Sequence, residues 1–141
     1  MMFLDTNVFV RMLTFDDPVK GEECTQLIES LETTSEAATS EIVIAELVFV
    51  LSGSVYKMDR LRIAELLRPI IALRGLKLPD KRRILRTLDL YQVIRQLSFS
   101  DCLIAAQVSE SDDLDGLVTY DRDFDRVPNL LRYEPAQILN S

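Results

Sequence analysis

Four carboxylates sit where the surrounding sequence is apolar. Asp5 ends the run Met1-Met2-Phe3-Leu4, and apolar residues resume at Val8-Phe9-Val10. Glu46 is the only charge between Ile42 and Leu51, Asp101 opens Asp101-Cys102-Leu103-Ile104-Ala105-Ala106, and Asp121 follows Leu117-Val118-Thr119-Tyr120. Acids are almost never fully buried without a partner, so each invites an explanation. Two like charges about 4 Å apart repel by roughly 4 kcal/mol at an effective dielectric near 20. Converging carboxylates must therefore hold protons or share a cation. The chain contains no histidine, so the ligand set is all oxygen, which favours Mg²⁺ or Mn²⁺ over zinc. Such ions generate hydroxide from water and stabilise both oxygens of an in-line phosphoryl displacement, so the implied chemistry is hydrolysis of a phosphodiester. Each acid also has a plainer reading. Glu46 can reach solvent or pair with an arginine, Asp101 can simply cap a helix, and Asp123 and Asp125 beside Asp121 can solvate a turn.

The absent histidine also excludes Ser-His-Asp and Cys-His nucleophile systems. Two cysteines, Cys24 and Cys102, make no disulfide framework, which points to a reducing compartment. The carboxylate beside Cys102 would raise its thiol pKa, so a small core residue is the expected role. The first apolar run breaks at Asp5, too soon for a signal segment. No other run approaches the roughly 18 apolar residues of a membrane span. The expectation is a soluble, cytoplasmic protein. A formal net charge of −7 argues against a nucleic-acid partner until its distribution is considered. Between Lys57 and Arg86 stand ten Lys and Arg against three acids, leaving six basic and twenty acidic residues elsewhere. Arg82, Arg83 and Arg86 share one helical stretch and are expected to face substrate phosphates or an acidic partner; the alternative is a solvated basic face.

The elements that must position these groups follow from pattern. Met2 to Leu4 reads as a strand delivering Asp5 to its C-terminal tip, where open α/β sheets keep their crevices. Val8 to Leu13 reads as a short helix. Asp17 caps a second helix with Pro18 at its first position, running to about Leu31. Ala37-Ala38-Thr39 is the weakest strand, and Ser40 is a good N-cap for a helix over Glu41 to Leu51, apolar all round and so expected to be buried. Gly53 stops it. A helix from Asp59 to about Leu73 stops at Gly75, and Leu76-Lys77-Leu78 alternates as a brief strand. Asp80 opens a long helix predicted through Leu97. Ser98 and Asp101 have the spacing of a capping box for a helix to about Glu110. Leu117 to Thr119 forms a strand, a helical turn surrounds Phe124, and Leu131 to Tyr133 is a last edge strand closed by Pro135. Strands alternating with helices predict one α/β domain over 1–141 with a parallel sheet covered on both faces.

The set Leu4-Asp5-Thr6-Asn7, Ser40 with Ile44-Ala45-Glu46-Leu47, Asp101-Cys102-Leu103-Ile104-Ala105-Ala106 and Thr119-Tyr120-Asp121-Arg122-Asp123-Phe124 resembles a PIN-domain nuclease. Within that family it is similar to the VapC-type toxins of toxin–antitoxin pairs. Each motif is weak alone; four in family order and spacing are specific. The resemblance implies a three-layer α/β/α sandwich with a mainly parallel five-stranded sheet and Mg²⁺- or Mn²⁺-dependent endoribonuclease activity. It also implies a homodimer and a small antitoxin whose tail covers the acids. Carried over by residue, Asp5, Glu46, Asp101 and Asp121 are the catalytic, metal-binding acids. Thr6, Asn7, Ser40 and Thr119 fall on supporting positions, and Asp123 on that of a fifth acid.

Three other readings compete. A Toprim-like phosphotransfer domain would use a Glu after an early strand with Asp121-Arg122-Asp123 as its acid pair, but the early strand here ends in Asp5 and Glu46 lies within a helix. A catalytically silent PIN domain acting as a binding scaffold would typically have lost some of the acids, and all four are present. A receiver-type phosphoacceptor would need paired acids after strand 1 and a lysine after the last strand, and has neither.

Overall fold

The chain leaves its first strand after two residues. In the structure, a computed structural model describing residues 1–140, β1 is Met2–Phe3 and the backbone turns at Asp5 into α1, Thr6–Thr14. The remaining elements are α2 (Pro18–Ser30), β2 (Ala37–Ala38), α3 (Glu41–Ser52), α4 (Arg60–Ile71), β3 (Leu76–Lys77), α5 (Lys81–Val93), α6 (Phe99–Ser109), β4 (Leu117–Val118), a 3-10 helix (Arg122–Arg126), β5 (Arg132–Tyr133) and α7 (Pro135–Leu139). They fall into two compact units, Met1–Lys81 and the chain from Arg82 onward.

The first unit is a three-stranded parallel sheet in the order β1-β2-β3, with Met2 opposite Ala37 and Ala37 opposite Leu76. Crossovers through α1–α2 and α3–α4 make parallel pairing possible. Phe9 and Val10 of α1, Ile28 of α2, Ile44 and Leu47 of α3, and Ile63 and Leu67 of α4 are buried. Asp17 caps α2 as its sequence position predicts, accepting from Lys20 N, and Asp59, expected as the first residue of its helix, is the N-cap of α4, accepting from Arg62 N. Gly75 does more than end a helix. A Cβ there would overlap the carbonyl oxygens of Ser35 and Leu31. Its own N–H donates to Leu31 O at 2.8 Å, and its carbonyl accepts from Ala37 N at 2.9 Å.

The second unit pairs β4 with β5 in parallel, Leu117 opposite Arg132 and Val118 opposite Tyr133. Ile84 and Leu88 of α5, Phe99, Cys102 and Ala105 of α6, and Phe124 are buried. Tyr91 and Phe99 meet edge-to-face with centroids 5.7 Å apart, an arrangement worth about 0.5–1.5 kcal/mol beyond the area it buries.

Four expectations are revised. The strands pair as three and two, not as one five-stranded sheet. The helix expected through Leu97 ends at Val93, because Leu97 bonds back to Ile94 in a tight turn that sets up the next N-cap at Ser98. Pro135 does not merely close β5 but starts α7, at a position where its missing N–H costs nothing. Finally, α3 is apolar all round without being buried all round. Ile42 and Phe49 are 77% and 76% exposed, and Glu46 between them is also exposed. Neither cysteine is in a disulfide; Cys102 is buried and Cys24 half-buried. No helix among the described residues is long and apolar enough to cross a membrane.

Candidate active site

Asp5 is placed by the strand that precedes it. Leu4 is buried, and its N–H donates to Ala38 O at 2.8 Å, so the chain is still in register with β2 one residue before the acid. Asp5 is the N-cap of α1, in extended conformation, and its Oδ1 accepts from Thr6 N at 2.7 Å. Beneath it the Thr39 hydroxyl, buried at the end of β2, donates to Leu4 O at 3.0 Å. Thr39 was not among the residues singled out from sequence; its signal is a β-branched hydroxyl closing a strand of small residues directly before an N-cap. Thr6 is buried, and its hydroxyl has no partner among the described residues. Asn7 is exposed in the first turn of α1. Ser40 caps α3, its Oγ accepting from Val43 N at 3.4 Å. Glu46 lies one turn further along α3 on the exposed face, with no hydrogen bond or ion pair among the described residues. Its expected burial does not occur, so it bears no desolvation cost that a partner must offset.

In the second unit Asp101 occupies the third position of α6 and completes the capping box. Asp101 N donates to Ser98 Oγ at 3.1 Å and Ser98 N donates to Asp101 Oδ2 at 3.3 Å. The plain capping role is therefore real, and it uses one of the two carboxylate oxygens. Asp121 follows β4. Its N–H donates to the Thr119 hydroxyl at 3.1 Å, and its Oδ1 accepts from Asp123 N at 2.9 Å, capping the 3-10 helix. Thr119 N donates to Tyr133 O at 2.9 Å. Asp123 is half-buried and its Oδ1 accepts from Arg126 Nε at 3.4 Å. Arg82, Arg83 and Arg86 lie in the first turns of α5, Arg82 exposed and the other two half-buried.

A further residue of this unit, Arg132, was not anticipated. Its side chain is only 13% exposed; Nε donates to Asp125 Oδ1 at 2.9 Å, and Nη1 donates to Thr119 O at 3.1 Å and Glu134 Oε2 at 3.3 Å. The hydrogen bond to Asp125 raises its pKa, with burial opposing and Glu134 assisting. An arginine in a short edge strand carries no such signal in sequence, since its acceptors are set by the fold.

The acids are thus divided two and two between the units. Among the described residues no three His, Cys, Asp or Glu side chains lie close enough together to hold an ion. The fit to a metal is one of donor chemistry. Asp5, Asp101 and Asp121 each commit one oxygen to a backbone N–H, which orients the carboxylate and leaves the other oxygen without a partner among the described residues. Hard oxygen donors of this kind suit Mg²⁺ and Mn²⁺.

The PIN domain family model matches residues 2–130. The chain belongs to the PIN domain family. PIN domains are generally metal-dependent nucleases that use divalent ions. The match takes in Asp5, Glu46, Asp101 and Asp121 and stops before β5. No curated protein matches the chain.

Proposed function

We propose that this PIN domain is an Mg²⁺- or Mn²⁺-dependent endoribonuclease, and that it is the toxin of a cytoplasmic toxin–antitoxin pair. The observation that carries the nuclease reading is the common presentation of three acids: Asp5, Asp101 and Asp121 each stand at a helix start with one oxygen capped and one free. Asp5 and Glu46 in the first unit, and Asp101 and Asp121 in the second, are all oxygen donors in a family of metal-dependent nucleases. A divalent ion held by these carboxylates would supply water activation and charge neutralisation at the phosphodiester. The protein's part is to hold the carboxylates in orientation, through Thr6 N at Asp5, Ser98 N at Asp101 and Asp123 N at Asp121. Thr6, Asn7, Ser40, Thr119 and Asp123 are the supporting side chains of this reading. Arg82, Arg83 and Arg86 bind RNA phosphates. The order and spacing of the four motifs support the toxin subtype, with a homodimer and a short antitoxin covering the acids.

Removal of one metal ligand is the direct test. Asp5→Asn and Asp121→Asn are expected to lower Mg²⁺-dependent RNA cleavage by more than about a hundredfold, beyond the cost of losing an outer-shell support, while far-UV circular dichroism is unchanged. Undiminished cleavage by purified Asp5→Asn protein sinks the metal-site reading. Sequencing the ends of RNA cut after controlled expression identifies the substrate, and a short upstream reading frame encoding a DNA-binding protein supports the toxin assignment.

A further inference from the structure

The geometry points to Arg132 as a positioning residue for Asp121, clamping the backbone on both sides of that acid. The inference rests on the nuclease reading above for its functional consequence, and on hydrogen bonds alone for its structural one. Asp121 sits in a turn whose two ends have to be fixed if its free oxygen is to point in one direction. The upstream end is Thr119, whose backbone carbonyl accepts from Arg132 Nη1 at 3.1 Å while its hydroxyl accepts from Asp121 N and its N–H donates to Tyr133 O. The downstream end is the 3-10 helix that Asp121 caps, and within it Asp125 accepts from Arg132 Nε at 2.9 Å. One planar guanidinium therefore holds the residue two before Asp121 and the residue four after it. Glu134, at the start of α7, takes the same Nη1 at 3.3 Å and aligns the fork from behind.

A clamp explains features that strand packing alone does not. An arginine largely withdrawn from water carries a desolvation cost, and an apolar residue at the same position in β5 would pack without it. Surface ion pairs such as Arg126–Asp123, with both partners about half exposed, contribute little. Arg132 differs in being 13% exposed and in using two nitrogens toward two chain segments. A lysine, a single compact charge on a flexible stem, cannot reproduce that fork. Arg132 also lies beyond the residues that match the family, which end at 130.

The test compares Arg132→Lys, which keeps the charge and loses the fork, with Arg132→Met, which loses both. Two readouts are used on the full chain: Mn²⁺ affinity by calorimetry, and hydrogen exchange at the amides of Asp121 and Asp123, with the amides of Ala105 and Ala106, buried in α6 outside the turn, as folding controls. Positioning predicts that both variants weaken Mn²⁺ binding by about tenfold, the range seen for outer-shell residues, and speed exchange at Asp121 and Asp123 more than at the controls. It further predicts no added loss of affinity when Arg132→Lys is placed on Asp121→Asn. Asp125→Asn, which spares the arginine, should give the same exchange signature in weaker form and guards against misfolding of the Arg132 variants. Wild-type affinity and wild-type exchange in Arg132→Lys overturn the proposal, as does a loss of equal size in the Asp121→Asn background. If Asp121→Asn itself leaves Mn²⁺ affinity unchanged, the nuclease reading fails instead, and the exchange data alone decide whether Arg132 clamps the turn.

Discussion

Asp5 and Asp121 are presented alike and anchored differently. Both follow a two-residue parallel strand, both cap the helical turn that comes next, and both give Oδ1 to a backbone N–H close ahead. Around Asp5 the anchor is apolar: Leu4 and Phe9 are buried, with one neutral hydrogen bond from Thr39 to Leu4 O. Around Asp121 the anchor is ionic: Arg132 against Asp125 and Glu134, with a five-residue 3-10 helix in place of a long α-helix. The same presentation of a carboxylate can thus be secured by packing or by a charge cluster, and the two respond to different perturbations. Packing is indifferent to salt, whereas a partly exposed ion cluster is screened by it.

The largest effect should come from the apolar side. Phe9→Ala is expected to destabilise the protein by about 3–5 kcal/mol, the cost of emptying a fully packed aromatic site, read from urea unfolding; a loss below about 1 kcal/mol would remove packing as the anchor of Asp5. Thr39→Val strands the buried Leu4 carbonyl and should cost about 1–3 kcal/mol, with a larger proportional fall in Mn²⁺ affinity than in stability. Were the two to fall in step, Thr39 would be merely structural. Charge reversal at Arg82 and Arg86 leaves both anchors alone and should weaken RNA binding and flatten its salt dependence, by a slope of about 0.7 per lost phosphate contact on single strands. An unchanged slope makes α5 a solvated face. The smallest effect belongs to Thr6→Val. Its buried hydroxyl lacks a partner among the described residues, so the substitution should be neutral or slightly stabilising; a clear destabilisation in thermal melts means that the hydroxyl is hydrogen-bonded in solution.

Acid exposes a second ionic contact in the first unit. Tyr56 OH donates to Asp16 Oδ2 at 2.6 Å, and this bond, with Thr14 and Arg11, holds the Asp16 pKa below its ordinary value of 3.8. A carboxyl with a depressed folded pKa adds stability that is present above 3.8 and lost as pH falls through the lower folded value. Asp16→Asn should therefore flatten the acid limb of the unfolding curve, and an identical limb in the variant would show that Asp16 contributes nothing there.

The sequence disclosed local devices well and long-range ones poorly. The capping box at Ser98 and Asp101, the caps at Asp17 and Ser40, and even the weak strand at Ala37 were legible because each depends on a few neighbouring residues. Glu46 misled because uniform apolarity in α3 says nothing about which face the fold leaves bare. Thr39 and Arg132 were missed for a related reason. Their partners, Leu4 at a separation of 35 residues and Thr119 at 13, are chosen by strand register, which periodicity does not encode. The strand pairing as three and two is likewise a property of register rather than of any strand's own sequence.

Gly75, met in the sequence as a helix stop, has a reach out of proportion to its size. It is wedged between carbonyls of Leu31 and Ser35, and the strand it begins supplies Lys77 O to Thr39 N. Thr39 in turn holds Leu4, the residue before Asp5. A single added methyl at Gly75 would therefore act as a lever, lifting β3 away from the end of α2 and passing the displacement along two hydrogen-bonded links to a carboxylate at the opposite rim of the sheet.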